Sequence, residues 1–379
     1  MKWDTRLLHD GQEPDPLTGA VNTPVYLTST FAQRSPGRAK GYVYSRTGNP
    51  TRAALEKVLG RLEGGVGSLA FGSGLAATSA LFMAYPSGSR IVAGDDLYAG
   101  TWRLLQVART HGVTVDFIDT SDLANLRAAL GDGRKTNLLY LETPTNPLLK
   151  VTDLRGAVAI ARTAHATVAV DNTFASPVLQ RPLELGADVV VHSTTKYLGG
   201  HSDLIGGALV FRSRSLLEKY RWFQNTQGGI PGPLDCFLVL RGIHTMGLRV
   251  RAHCANARKV AAFLSGHPHV ARTLYPGLRT HPGFAVARRQ MDDYGGMVSA
   301  ELRGGLPAAR KAVRRLRVFT LAESLGGVES LVNVPALMTH RSVPKELRER
   351  QGIRDGLLRF SVGVEDADDL IADLRQALR

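Results

Sequence analysis

The sequence predicts an α/β protein with a mainly parallel sheet and a smaller C-terminal α+β domain. Short apolar, β-rich runs alternate with helical patterns from residue 61 to about residue 235, which is typical of parallel strands joined by covering helices. After a long predicted helix the alternation stops, and strands and helices follow in a less regular order. The length of 379 residues is sufficient for two domains of ordinary size.

Six apolar runs predict the strands of the larger sheet. They cover residues 91–93, 113–118, 138–141, 167–170, 189–191 and 208–211. Helical patterns lie between several of these runs, at residues 74–84, 101–110, 122–130 and 153–165. Sheets of this kind bind ligands at the carboxyl ends of their strands, so we expect functional residues in the segments that follow the runs.

The remaining segments frame this region. Residues 1–60 are rich in Gly, Pro, Thr and Asn, and we expect an irregular arm that lies on another part of the molecule or on a neighbouring subunit. A long helix is predicted over residues 234–264, with a break near Gly242 or Gly247. Beyond it, strands are predicted at 297–302, 318–320 and 357–362, and helices at 307–316 and 367–378. The predicted organisation is an arm over 1–60, a large domain over 61–250 and a small domain over 251–379.

The composition indicates a globular protein of a reducing compartment. Hydrophobic residues make up 44% of the chain, but no window approaches about 18 uninterrupted apolar residues, the length of a membrane-spanning helix. The first residues lack the apolar core of a signal peptide. Cys236 and Cys254 show neither metal-ligand spacing nor a disulfide framework. We therefore predict a cytoplasmic protein with no metal site and no membrane partner.

The formal net charge of +14 has two interpretations. A basic surface could bind nucleic acid, or the arginines could be plain surface residues of a protein whose ligand is an anion. Basic residues are spread along the whole chain, and no nucleic-acid-binding motif accompanies them. The densest group recurs at helical spacing, as on a solvated helix face: Arg310, Lys311, Arg314, Arg315 and Arg317. We predict that nucleic acid is not a partner.

An acid and a lysine lie where two predicted strands end. Asp171 follows the run at residues 167–170, and Lys196 lies just beyond the run at residues 189–191. Pyridoxal phosphate needs both groups, because a lysine amine forms a Schiff base with its aldehyde and a carboxylate keeps a proton on its ring nitrogen. The pair therefore predicts a pyridoxal-phosphate site with Lys196 as the covalent attachment point.

Four further features suit such a site, and each also has a purely structural interpretation. Gly74 opens a helix after a Gly-Ser pair, which fits an anion site as well as a tight turn. Tyr98 follows a strand and could stack on a planar ring or pack half-buried. Asn146, between two prolines, could donate to a ring hydroxyl or form a turn. Arg359, within an apolar strand, could bind a carboxylate with its planar fork or form a structural ion pair.

Six motifs occur along the chain in a fixed order. They are Tyr44-Ser45-Arg46-Thr47-Gly48-Asn49-Pro50-Thr51, Asp171-Asn172-Thr173, Ser193-Thr194-Thr195-Lys196-Tyr197, His201-Ser202-Asp203, Ala322-Glu323-Ser324-Leu325-Gly326-Gly327 and Arg359-Phe360-Ser361-Val362-Gly363. Together they resemble the Cys/Met-metabolism family of pyridoxal-phosphate enzymes over nearly the whole chain. The resemblance implies the fold-type I, aspartate-aminotransferase-like architecture with a mainly parallel seven-stranded sheet. It also implies a homotetramer built as a dimer of catalytic dimers.

The resemblance implies a role at the cofactor for each matching residue. Lys196 carries the Schiff base and shuttles protons, Asp171 pairs with the pyridinium nitrogen, and Tyr98 stacks on the ring and is also a candidate base. The phosphate is held by two backbone amides and two hydroxyls, those of Gly74, Leu75, Ser193 and Thr195. Tyr44 and Arg46 reach the phosphate of the neighbouring subunit, so that a monomer would have incomplete sites.

The resemblance also implies which residues face the substrate. Asn146, Ser324 and Arg359 lie near the α-carboxylate and the ring hydroxyl. Glu323 corresponds to an acid at the pocket edge that influences chemistry at Cγ. Trp102 replaces the commoner Asn or Tyr near the substrate entrance, so it bears on specificity for the substrate side chain.

The implied activity is γ-elimination on a sulfur amino acid. The motifs around Glu323 and Asn49 resemble the γ-lyase and γ-synthase branches more than the β-lyase branch, and Gly100 stands where methionine γ-lyases carry a cysteine. We favour cleavage of cystathionine to cysteine, 2-oxobutanoate and ammonia. The alternative is γ-replacement, in which cysteine attacks O-succinyl- or O-acetylhomoserine, and one chain could perform both. A cofactor-binding regulator without turnover is the remaining alternative.

Overall fold

The N-terminal part of the chain is only partly irregular. The computed structural model describes residues 1–379. It begins with a short helix, α1 (Trp3–His9), and an antiparallel strand pair, β1 (Gln33–Ser35) and β2 (Arg38–Ala39). The prediction of an irregular arm over residues 1–60 is wrong at its end, because a helix, α2 (Pro50–Leu62), forms there. The helix starts there because proline suits a first helical position and the Asn49 side chain caps it.

A mixed sheet of seven strands forms the centre of the next region, as predicted. Its strands are β3 (Gly67–Phe71), β4 (Arg90–Gly94), β5 (Thr114–Ile118), β6 (Leu138–Glu142), β7 (Thr167–Asp171), β8 (Val189–His192) and β9 (Gly207–Phe211). Their order is β3-β9-β8-β7-β6-β4-β5, and the five strands from β4 to β8 are parallel. β9 is antiparallel to both β8 and β3, and β3 is the strand that the apolar runs did not predict.

Helices cover both faces of this sheet. They are α3 (Gly74–Met83), α4 (Ala99–Thr110), α5 (Leu123–Leu130), α6 (Leu154–Thr163), α7 (Ser176–Leu179) and α8 (Arg214–Gln227). Side chains alternate between the faces of a strand, so the sheet separates two cores. In β4, Ile91 and Ala93 pack with residues of α3 and α4, whereas Val92 packs with residues of α5 and α6. The predicted α/β architecture is confirmed.

Two consecutive helices lead to the rest of the chain. The helix predicted over residues 234–264 is divided at Thr245 into α9 (Pro233–His244) and α10 (Met246–Ser265). The predicted domain boundary at residue 250 lies inside α10. The first half of α10 packs in the core beside α9, and its second half packs in the core of a second, smaller sheet.

The smaller sheet has five strands and belongs to the predicted α+β part of the chain. Its strands are β10 (Val270–Leu274), β11 (Met297–Leu302), β12 (Thr320–Leu321), β13 (Leu331–Asn333) and β14 (Leu357–Ser361), in the order β10-β11-β14-β13-β12. The helices of this part are α11 (Phe284–Gln290), α12 (Gly305–Arg315), α13 (Lys345–Gln351) and α14 (Ala367–Ala377). No helix of the chain combines the length and the hydropathy that a membrane crossing requires.

The parallel strands bring the predicted functional residues to one edge of the large sheet. Tyr98 follows β4, Asn146 follows β6, Asp171 ends β7 and Lys196 follows β8. The smaller part of the chain reaches the same edge, since Arg359 of β14 donates to the side-chain oxygen of Asn146 at 2.8 Å. This edge is therefore where a site can form.

Candidate active site

Lys196 lies in a turn immediately beyond β8, with its amine held between the two parts of the chain. Its Nζ donates to Ser324 Oγ at 2.9 Å. Burial and the nearby charge of Arg359 lower the pKa of the Lys196 amine to about 8. The exposed Glu323 carboxylate acts in the opposite direction and raises this pKa, but its effect is smaller. A useful fraction of the amine is therefore neutral near physiological pH, and this fraction can accept a proton.

Two carboxylates, Asp171 and Glu142, lie opposite each other at the ends of β7 and β6. Asp171 Oδ1 accepts the Thr173 N–H at 3.0 Å, whereas Oδ2 accepts only a long hydrogen bond from the Tyr140 hydroxyl, at 3.4 Å. Burial raises the pKa of both carboxyls, and the charge of Asp171 raises the pKa of Glu142 further. A proton donor bound at the Asp171 carboxylate would reduce the repulsion between Asp171 and Glu142.

The first turn of α3 presents free backbone donors beside Ser193. Ser73 caps the helix by accepting the Ala76 N–H at 3.0 Å, and the N–H groups of Gly74 and Leu75 have no partner in the chain. A side chain on Gly74 would collide with Ser193, because its Cβ would lie 2.9 Å from Ser193 Cβ. Glycine thus brings the Ser193 hydroxyl close to the positive end of the helix.

Thr195 lies in the same turn, but its hydroxyl is already used. It donates to the Gly206 carbonyl at 3.2 Å and accepts the Gly206 N–H at 3.0 Å. The hydroxyl therefore holds the turn in shape, and it would contact an anion only by giving up the bond to that carbonyl. The free donors beside it, two backbone amides and the Ser193 hydroxyl, form a site for an anion such as phosphate.

Tyr98 precedes α4 and keeps 40% of its surface exposed. Its ring lies over Gly100, and a side chain at that position would collide with it. Gly100 therefore leaves room for the ring. An exposed ring face of this kind can stack on a planar group. Trp102 is half-buried in the first turn of the same helix.

Arg359 is the buried cation of the site, only 2% exposed and without an ion-pair partner. Its Nη1 donates to Asn146 Oδ1 at 2.8 Å, its Nη2 donates to the Ser324 carbonyl at 2.9 Å, and its Nε has no partner. Burial lowers its pKa to about 10, so it stays cationic at neutral pH. A buried guanidinium with an unused N–H and no anion fits a carboxylate from outside the chain.

Ser324 joins the lysine to the arginine. Its φ of 85° is in the left-handed region, which is uncommon for a residue with a side chain. In this conformation the hydroxyl accepts from Lys196 while the carbonyl accepts from Arg359. The unusual backbone thus places a proton-accepting amine beside a carboxylate-binding group.

Glu323, Tyr44 and Arg46 lie outside this hydrogen-bonded group. Glu323 is exposed and forms no hydrogen bond or ion pair, although its neighbour Ser324 is central. Arg46 lies 5.7 Å from the centroid of the Tyr44 ring and donates to the Asn225 carbonyl at 2.6 Å. No hydrogen bond joins Tyr44 or Arg46 to the predicted cofactor residues of the same chain.

The residues present fit pyridoxal phosphate. The anion site at α3 suits the phosphate, the Tyr98 face suits the ring, the Lys196 amine suits the aldehyde, and the Asp171 carboxyl suits the ring nitrogen. The unpaired Arg359 guanidinium adds a place for the carboxylate of an amino acid. Elsewhere, no group of three His, Cys, Asp or Glu side chains is arranged to hold a metal ion.

Glu142 and a buried hydrogen-bond network next to Asp171 were not predicted from the sequence. His192 Nε2 lies 2.6 Å from Glu63 Oε1, and Asn172 Nδ2 donates to the same oxygen at 2.9 Å. His192 precedes Ser193 and Asn172 follows Asp171, so the network fixes the ends of β7 and β8. The available signal was a histidine that ends a run of valines, since a buried polar side chain needs a partner.

The lowered pKa of Lys196 predicts how the stability of the cofactor-free protein depends on pH. Between the folded value of about 8 and the ordinary value of 10.5, the unfolded chain binds more protons than the folded chain. The free energy of unfolding should therefore rise with pH across this window and fall as the pH drops through about 8. Thermal denaturation across the window measures the slope, and Lys196→Met should reduce it. An equal slope in the variant would contradict the lowered pKa.

Comparisons with known proteins agree with this geometry. Residues 4–379 match the family described as Cys/Met metabolism PLP-dependent enzyme. The chain is 50% identical over 375 residues to a cystathionine beta-lyase of Lactococcus lactis subsp. cremoris, covering 99% of this chain and 98% of that one. It is 48% identical over 379 residues to a cystathionine gamma-lyase of Bacillus subtilis, covering 100% and 99%. A solved structure of cystathionine gamma synthase from Xanthomonas oryzae pv. oryzae, in complex with cystathionine, superposes with a TM-score of 0.97 at 44% identity, covering 100% and 98%.

These relatives are named for three different reactions, although all three resemble this chain over nearly its whole length. Overall identity therefore does not separate β-elimination, γ-elimination and γ-replacement. The resemblance of the Glu323 motif to two of the three branches remains the feature that favours reaction at Cγ.

Proposed function

This chain belongs to the Cys/Met-metabolism family of pyridoxal-phosphate-dependent enzymes, and we propose that it catalyses the γ-elimination of cystathionine. One water molecule is consumed, and the products are cysteine, 2-oxobutanoate and ammonia. The observation that carries the proposal is Ser324, which accepts from the Lys196 amine with its hydroxyl and from the Arg359 guanidinium with its carbonyl. Reaction next to an amino-acid carboxylate needs these two groups side by side.

Lys196 is the residue that moves protons. Bound pyridoxal phosphate supplies an electron sink for the electrons released at the substrate Cα. Lys196 Nζ would accept the proton from the substrate Cα and then the proton from Cβ, and the sulfur that departs from Cγ would take up a proton to leave as the thiol of cysteine. A pKa of about 8 suits an amine that must both take and return protons near neutral pH. Ser324 Oγ, 2.9 Å away, fixes the position of Nζ during these transfers.

The other residues bind and orient. Asp171 would keep the ring nitrogen protonated and Tyr98 would stack on the ring, while Gly74, Leu75 and Ser193 would hold the phosphate. Thr195 would join them only if its hydroxyl released the Gly206 carbonyl. Arg359 takes the α-carboxylate of the substrate, and Asn146 orients its guanidinium. We assign the distal part of the substrate to the half-buried Trp102, one helical turn after Tyr98, and to the exposed Glu323, which precedes Ser324.

The second candidate function is γ-replacement, the cystathionine γ-synthase reaction, for which the similar Xanthomonas structure is named. The test supplies cystathionine alone and then O-succinyl- or O-acetylhomoserine with cysteine, and compares the two values of kcat/KM. We expect the larger value for cystathionine, with 2-oxobutanoate as the keto acid. Pyruvate with homocysteine would instead indicate β-elimination, the reaction named for the Lactococcus relative. A wild-type protein that binds the cofactor without turning over any of these substrates would be a regulator.

The assembly that completes the site is a homotetramer made of two catalytic dimers. Tyr44 and Arg46 bind the phosphate of the neighbouring subunit in this arrangement, which fits their position outside the site of their own chain. Apolar side chains of the same arm are 76% to 82% exposed, as residues that pack on a second chain would be: Leu17, Val21 and Leu27. Sedimentation equilibrium measures the number of chains. The two unpaired, buried cysteines support a cytoplasmic location.

A further inference from the structure

Glu142 is a buried carboxylate that none of these steps uses. It is the last residue of β6 and only 5% exposed. We propose that Glu142 is a positioning residue that couples the ring-stacking tyrosine to the carboxylate-binding arginine, through the backbone N–H groups of Tyr98 and Asn146. The inference rests on the proposed function, because that function gives Tyr98 and Asn146 their roles.

The first contact of Glu142 fixes the start of α4. Its Oε2 accepts the Tyr98 N–H at 2.9 Å. Helix α4 has no side-chain cap of its own and no acidic residue in its first turn. Glu142 therefore supplies, from strand β6, the side-chain acceptor that the first turn of this helix lacks. The contact determines where the Tyr98 ring emerges over the site.

The second contact fixes the segment after β6. Glu142 Oε1 accepts the Asn146 N–H at 2.9 Å, and the Asn146 side chain in turn accepts from Arg359 at 2.8 Å. The two oxygens of one carboxylate thus hold two different loops, one beside the ring and one beside the substrate carboxylate. An amide at this position would offer only one acceptor oxygen and would direct a donor at the other N–H.

The charge of Glu142 connects it to the cofactor as well. The charged and titratable groups that face it are Asp171 of β7, Asp96 after β4, Tyr140 of its own strand and Arg359 of β14. Two acids among them oppose its ionisation, and the only cation is the guanidinium that the substrate also needs. A positive group bound at Asp171 would reduce this repulsion.

The experiment compares Glu142→Gln with wild type and with Glu301→Gln. Glu301 is a matched control because it is a buried glutamate, 7% exposed, that pairs with Arg272 and Arg354 on the small sheet. Apoprotein is titrated with pyridoxal phosphate alone, and visible absorbance and circular dichroism are recorded. We expect Glu142→Gln to raise the dissociation constant about tenfold or more and to change the visible dichroism, while Glu301→Gln leaves both as in wild type.

A double-mutant cycle separates positioning from general stability. In a Tyr98→Ala background the ring is gone, so Glu142→Gln should change the cofactor dissociation constant by less than about threefold. If Glu142→Gln does not fold, Glu142→Asp takes its place, because it keeps the charge but cannot reach both N–H groups. Cofactor affinity and dichroism equal to wild type, or equal effects with and without Tyr98, would overturn the inference. Wild-type protein that binds the cofactor but cleaves no cystathionine would instead refute the proposed function alone.

Discussion

Lys196→Ala should lower kcat/KM for cystathionine by about 10⁴-fold or more, because one amine both attaches the cofactor and carries the protons. The purified variant should also lose the visible absorbance of lysine-bound pyridoxal phosphate. Lys196 follows β8, and its amine is held by Ser324 at 2.9 Å. Absorbance spectroscopy and a keto-acid assay measure the two effects.

Lys219→Ala is the matched control for this substitution. Burial lowers the pKa of Lys219 as well, but its amine lies over the rings of Tyr85 and Tyr220, on α8. Borohydride reduction and peptide mass analysis should find the cofactor on Lys196 of the wild-type protein and not on Lys219. A Lys196→Ala variant that keeps both its colour and its turnover would disprove the assignment.

The sheet could be predicted because of how its strands are buried. A parallel strand that is covered on both faces reads as an apolar run, and β4, β6, β7 and β8 do so, whereas the edge strand β5 carries an aspartate at its centre. β3 reads Gly-Ser-Leu-Ala-Phe, so a glycine and a serine interrupt the apolar pattern. Ser68 is buried because its hydroxyl donates to the Glu56 carbonyl of α2, a contact that the sequence does not reveal. Helix α2 was missed because its start signals, Asn49 and Pro50, stand in a segment rich in turn residues.

Site residues could be predicted from the sequence when they directly follow a predicted strand, because the strand then determines where they lie. Asp171 and Lys196 follow apolar runs, and parallel strands must bring such ends together. Glu142 also follows an apolar run, but its role could not be assigned, because its partners are backbone N–H groups and the Tyr98 amide lies 44 residues away in sequence. Glu63 and His192 are 129 residues apart, so their pairing leaves no local pattern. The role proposed for Tyr44 and Arg46 involves a second chain, so the fold of one chain does not test it.

Arg359→Lys should raise KM for cystathionine by about 100-fold and change the affinity for pyridoxal phosphate much less. The guanidinium already donates to Asn146 and Ser324 and still has an unused Nε, so its planar fork can meet both oxygens of a carboxylate. A lysine ammonium is a point charge on a flexible stem and cannot keep all of these contacts. Steady-state kinetics and a cofactor titration measure the two quantities separately.

Arg90→Lys is the control that separates a binding arginine from a structural one. Arg90 is equally buried at the opposite edge of the sheet, but it is paired with Asp116 and Asp132 at 2.7 and 2.9 Å. Its replacement should lower the thermal stability and leave KM unchanged, because its anions belong to the chain. Arg359 forms no ion pair within the chain, so we expect a bound substrate carboxylate to supply its partner. Replacing Arg359 should therefore weaken substrate binding more than it lowers thermal stability. A lower thermal stability with an unchanged KM would show that Arg359 is structural.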